Sequence, residues 1–132
     1  MNADLAALAD RYWDLLLEAS PTQATLLGDH RFDDRIEDPS RAAEDRLIAA
    51  LDSLIAAARA LDADSLDATD EVTREVLLFE AGTQADSLRS RYVEFLVDPM
   101  LGPHMDLITY VPQITPVTAD HVNPERPWPA IE

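Results

Sequence analysis

Residues 38–61 leave this chain little choice of fold. Leu47, Leu51, Leu54, Ala58 and Leu61 follow one another at alternating intervals of four and three, and Ile48 and Ile55 widen the same stripe. Apolar residues at that spacing share one side of a helix, whereas a half-buried strand would need strict alternation. The stripe is wide enough to pack against two neighbours. Asp38 is the expected cap, accepting bonds from the first free amides, and Pro39 suits the first helical position.

The neighbours are visible on either side. Residues 4–18 read as a first helix, with Leu5, Leu8, Tyr12, Leu15 and Leu16 on one face and Trp13 and Leu17 beside it. Trp13 is expected to bury most of its ring, and its indole N–H then needs a partner. Ser20 and Pro21 open a short second helix, with Ser20 as cap, and Gly28 closes it where a left-handed residue is wanted. Residues 29–37 are polar and without period, a loop into the long helix. Residues 62–70 form the next break, where Asp67 is a good cap and Asp70 and Glu71 suit the following first turn. A fourth helix is expected over residues 68–90, with Val72, Val76 and Phe79 facing the core, although Gly82 weakens its second half by roughly 1 kcal/mol relative to alanine.

Beyond this the pattern changes. Residues 92–97 alternate enough for a short strand, ended by Asp98-Pro99, and Gly102-Pro103 is another turn. Leu107, Ile108, Tyr110, Val111 and Ile114 are apolar but interrupted by Pro112 and Pro116, which fits an extended stretch or a broken helix. The fold class is therefore mainly α, a small array of three to four helices around a central antiparallel helical hairpin, with an extended C-terminal segment. Residues 1–118 form a single helical domain in this reading. Residues 119–132, with Pro124, Pro127 and Pro129, form a proline-rich, disordered tail.

Composition narrows the partners. The 132 residues carry a net charge of −16 and include no lysine. A field of that sign repels phosphate backbones and anionic bilayers, so neither nucleic acid nor a membrane is expected as partner. Hydrophobic residues make up 47%, too many for a disordered acidic tail. No apolar run approaches membrane-spanning length and residues 1–8 lack the marks of a signal peptide, so a soluble cytoplasmic protein is the default. Without cysteine there is no disulfide, thiolate metal site or cysteine nucleophile.

Motifs that carry chemistry are scarce. The three histidines, His30, His104 and His121, form no paired ligand motif, and the HExxH zinc-peptidase signature does not occur. Neither a phosphate-binding glycine loop nor a G-x-S-x-G elbow is present. The weak candidate for a divalent cation is the cluster Asp29, His30, Asp33 and Asp34, which mixes carboxylates with one imidazole. The same acids equally suit a polar loop that pairs with Arg31 and Arg35. A calcium loop beginning at Asp62 fails, because Asp67 and Thr73 stand where glycine and a bidentate glutamate are required. His104 reads as a half-buried, satisfied imidazole.

The order of features resembles a known family. Tyr12-Trp13 followed by Ser20-Pro21-Thr22-Gln23-Ala24-Thr25-Leu26-Leu27-Gly28-Asp29 is similar to the opening of the bacterial domain of unknown function 885. The resemblance continues through the helical pair, into Val97-Asp98-Pro99-Met100-Leu101-Gly102-Pro103-His104, and then into Tyr110-Val111-Pro112-Gln113-Ile114 and Pro116-Val117-Thr118, covering residues 4–118. It implies that full members are several times longer, helical, and look like HExxH zinc metallopeptidases with the metal motif far downstream. No family ligand or catalytic glutamate maps onto this chain, so no cofactor is expected in it and zinc is expected only in the full-length family. Members continue helically after the Pro-Val-Thr segment, whereas this chain turns proline-rich, which reads as a truncation, a shifted frame or a split gene.

Three functions follow as expectations. The first is a non-catalytic N-terminal portion that helps wall a substrate cleft, with Gly102, Pro103 and His104 facing it and the missing C-terminal part as partner. The second is a free-standing helical interaction module that docks a partner or a second copy through the apolar 107–114 stretch. The third, ranked last, is a metal-dependent hydrolytic site in residues 29–34.

Overall fold

The computed structural model describes residues 2–91 together with residues 105, 108–109 and 111–113. Its helices are α1 (Ala3–Ala19), α2 (Pro21–Leu26), α3 (Arg41–Arg59) and α4 (Ala68–Arg89), and there is no strand among the described residues. The protein is a small, mainly α helical array.

Each long helix starts on a side chain that accepts from its free amides. The Asn2 side-chain oxygen accepts from the N–H groups of Asp4 and Leu5 at 2.9 and 3.2 Å. Asp67 caps α4 as its type predicts, accepting from the Asp70 N–H at 2.8 Å, while Asp70 reaches back to the Asp67 N–H at 3.5 Å. These reciprocal bonds form a capping box.

Two caps differ from the sequence reading. The cap of α3 is Ser40 rather than Asp38, its Oγ accepting from the Ala43 N–H at 3.2 Å. Asp38 is already engaged in a tight local turn, accepting from the Ser40 N–H at 2.9 Å, so Pro39 stands ahead of the helix and not at its first position. Pro21 does open α2, but the Ser20 side chain makes no capping bond. The Glu37 carboxylate takes that role from across the loop, accepting from the Thr22 N–H at 3.0 Å and the Thr22 hydroxyl at 2.8 Å. Gly28 closes the segment at φ 85°, the left-handed backbone foreseen for it.

Packing is organised around α3. It forms an antiparallel hairpin with α4, and α1 lies against both. The core cluster joins Leu5 of α1, Leu51, Leu54 and Ala58 of α3, and Leu77, Ala81 and Ala85 of α4. Ala58, Ala81 and Ala85 are wholly buried, and small residues at a crossing let two helices approach closely. A second patch, with Leu17, Pro21 and Ala24 buried, holds α2 beneath the end of α1.

The apolar face assigned to α4 is corrected. Val72, Val76 and Phe79 are 63, 54 and 69% exposed, and the core side of the helix is the one carrying Leu77, Ala81 and Ala85. Residues at 72, 76 and 79 fall on one line down a helix, and 77, 81 and 85 fall on roughly the opposite line. Both faces are apolar, and the alanine-rich one packs inward. Trp13 is likewise 52% exposed rather than mostly buried, because α1 meets α3 and α4 through Leu5, Leu8, Tyr12 and Leu15, whose shared face is turned away from it.

Within the 107–114 stretch, Ile108 and Thr109 are helical and Val111–Gln113 forms a 3₁₀ turn, with the Gln113 side-chain amide donating to the Thr109 carbonyl at 2.7 Å. The strand read for residues 92–97 and the tail at 119–132 lie outside the described residues. No helix among the described residues is long and apolar enough to cross a membrane.

Candidate docking surface

Among the described residues two places qualify for a site: the acidic loop between α2 and α3, and the outer face of α4. In the loop, Asp29 accepts from the Arg31 N–H at 3.1 Å and from its guanidinium at 2.7–3.0 Å, and Arg31 also donates to Asp14 of α1 at 2.8 Å. The hydrogen bonds from Arg31 hold the Asp29 carboxyl below its usual range. Asp33 contacts His30 Nδ1 at 2.9 Å and accepts from the Thr25 hydroxyl at 2.8 Å. Asp34 points outward, 4.0 Å from Arg35, and both Arg31 and Arg35 lie over the Phe32 ring.

The loop's carboxylates thus face cations and hydroxyls of the protein itself, which fasten the loop to α1 and α2. The structure brings His30 and Asp33 together but turns Asp29 and Asp34 elsewhere. No group of three or more such side chains placed to hold a metal ion is found among the described residues. Gly102, Pro103 and His104 lie outside them.

The face of α4 is different in kind. Val72, Val76 and Phe79 stand in line along a shallow depression of about 630 Å³. Glu71 and Glu75 border it on one side and Glu80 on the other. Arg74, the one cation among the described lining residues, is drawn to Glu75 at 3.6 Å. Glu80 sits on the α1 side, where burial first, and then its negative charge, push the Tyr12 hydroxyl above its ordinary pKa. Gly82, one turn beyond Phe79, leaves open space where a side chain would stand. An exposed apolar ridge rimmed by charged residues is the kind of surface on which other protein can pack.

The helix is also held firmly at its start. Asp70, 4% exposed, accepts from the Asn2 N–H through both oxygens at 3.2 and 3.0 Å. Asn2 Nδ2 meanwhile donates to the Ser65 carbonyl and hydroxyl at 3.4 and 3.3 Å. The Asp70 carboxylate therefore ties the start of α1 to the start of α4, and the Asn2 side-chain amide adds the connection between α3 and α4. The sequence signal for this face is the presence of apolar residues on two sides of α4, and periodicity alone does not say which side packs inward.

Comparison with known families gives the wider setting. The family described as a bacterial protein of unknown function (DUF885) matches residues 21–123. The chain belongs to the DUF885 family. The match begins at the first residue of α2, takes in α3 and α4, and runs past residue 118, while α1 lies ahead of it. No curated protein and no solved structure matches the chain.

Proposed function

We propose that this chain is a non-catalytic helical portion of a DUF885 protein, a scaffold that helps wall a substrate cleft in a longer, metallopeptidase-like molecule. The observation that carries the reading is the second apolar face of α4, a surface suited to being covered by further protein. The sequence contributes no HExxH motif, and the reading assigns any zinc to the rest of such a molecule. In this reading residues 102–104, which lie inside the family match, contribute to that wall.

The test has two arms. Purified chain is expected to show no peptidase turnover, with or without zinc. A separately produced remainder of a full-length DUF885 protein is expected to bind it with protection of the α4 face. Chelator-sensitive turnover by the chain alone would overturn the scaffold role, and failure of the remainder to bind would overturn the wall.

A second reading, a free-standing interaction module, is favoured by the 66% exposure of Ile108 in the 107–114 stretch. It separates from the first by its partner, which would be another molecule or a second copy. A strictly monomeric chain in which substitution of Ile108 changes no association argues against it.

A further inference from the structure

We infer that the outer face of α4 docks a cationic amphipathic helix. This rests on the reading that α4 is covered in use, and it adds the chemistry of the cover. Val72, Val76 and Phe79 are spaced i, i+4, i+7, so they present one apolar ridge about two turns long, the length of face that a second helix fills with its own i, i+3, i+4, i+7 residues. Beyond Phe79, the missing side chain at Gly82 leaves room for a bulky residue of the incoming helix.

Charge selects the occupant. Glu71, Glu75 and Glu80 border the ridge, and the guanidinium of Arg74 is already engaged by Glu75. A second copy of this chain would bring the same three glutamates and a net charge of −16 to the contact, and an anionic bilayer meets the same repulsion. A helix carrying lysine or arginine beside its apolar stripe meets a rim of three carboxylates and one arginine, net negative, where opposite charge favours the right partner and like charge rejects the wrong one.

The test uses the full chain and two synthetic helical peptides with an identical Leu/Phe stripe, one flanked by lysine and the other by glutamate. The lysine peptide is expected to bind about tenfold more tightly at low salt, the effect of a few exposed ion pairs, with the gap closing as salt is raised. Amide shifts are expected at Val72, Val76 and Phe79. Phe79→Ser abolishes binding while far-UV dichroism stays unchanged, because the ring lies outside the core. Glu75→Lys with Glu80→Lys reverses the preference between peptides.

Equal binding of both peptides overturns the charge assignment. Binding that survives Phe79→Ser, or a chain that dimerises through this face, overturns the site. Should the DUF885 remainder cover α4 while the lysine peptide fails, the wall stands and the cationic occupant falls. The opposite result leaves the occupant and removes the wall.

Discussion

Replacing Asp70 with alanine removes a buried carboxylate that joins the starts of α1 and α4. The Asn2 N–H loses both its acceptors, at 3.2 and 3.0 Å, and the capping box loses its return bond to the Asp67 N–H at 3.5 Å. A hydrogen bond to a charged acceptor contributes about 1.5–3 kcal/mol, and the long return bond adds little. A carboxylate beside two helix N-termini also meets their partial positive charge. The loss should therefore be roughly 2–4 kcal/mol, a large part of the 5–15 kcal/mol typical of a domain. Urea unfolding followed by far-UV dichroism is the assay, and the midpoint should fall with the slope unchanged. Asp70→Asn keeps an acceptor without the charge and should lose an intermediate amount, while Asp64→Ala in the same connection, away from these bonds, should stay within about 0.5 kcal/mol. An Asp70→Ala midpoint equal to wild type would refute the role given to this carboxylate.

Three further outcomes follow. Gly82→Ala should stabilise by about 0.5–1 kcal/mol in the same unfolding assay, since the new methyl meets nothing within 4 Å and the helix gains a better former. Ala81→Leu, by contrast, forces volume into the fully buried crossing of α3 and α4 and should cost about 1–3 kcal/mol. For pH, hydrogen bonds from Arg31 lower Asp29 below the ordinary 3.8, and bonds from Ser40 lower Asp38 likewise. A carboxylate with a depressed folded value adds stability above its unfolded value and loses it as pH falls through the folded one. These two contributions should thus be complete near neutrality and decline only below about pH 4, and carboxyl NMR titration should show Asp29 moving back toward its ordinary value in Arg31→Gln.

Local signals in the sequence carried well. The stripe of α3, the Asp67 cap and Gly28 each follow from chemistry within a few residues, and each stands where it was expected. Contacts between distant residues did not carry. Nothing near Ser20 announces that Glu37 will take the Thr22 amide, and nothing near Asp70 announces Asn2. On α4 the larger side chains misled. Val72, Val76 and Phe79 outrank alanine on any scale of hydrophobicity, yet Ala81 and Ala85 occupy the crossing because helix approach there rewards small volume. The candidate surface was therefore legible only as a surplus of apolar residues on α4, and its outward direction came from the packing. In the loop, the internal pairing of the carboxylates depends on where Arg31 reaches, which spacing alone does not fix.

The most direct measurement is hydroxyl-radical footprinting of Phe79 in the free chain and again with the remainder of a full-length DUF885 protein. A docking face predicts strong labelling of the free chain, in keeping with a ring 69% exposed, and marked protection once the remainder is added. A ring already protected in the free chain, or labelled equally in both samples, would contradict it.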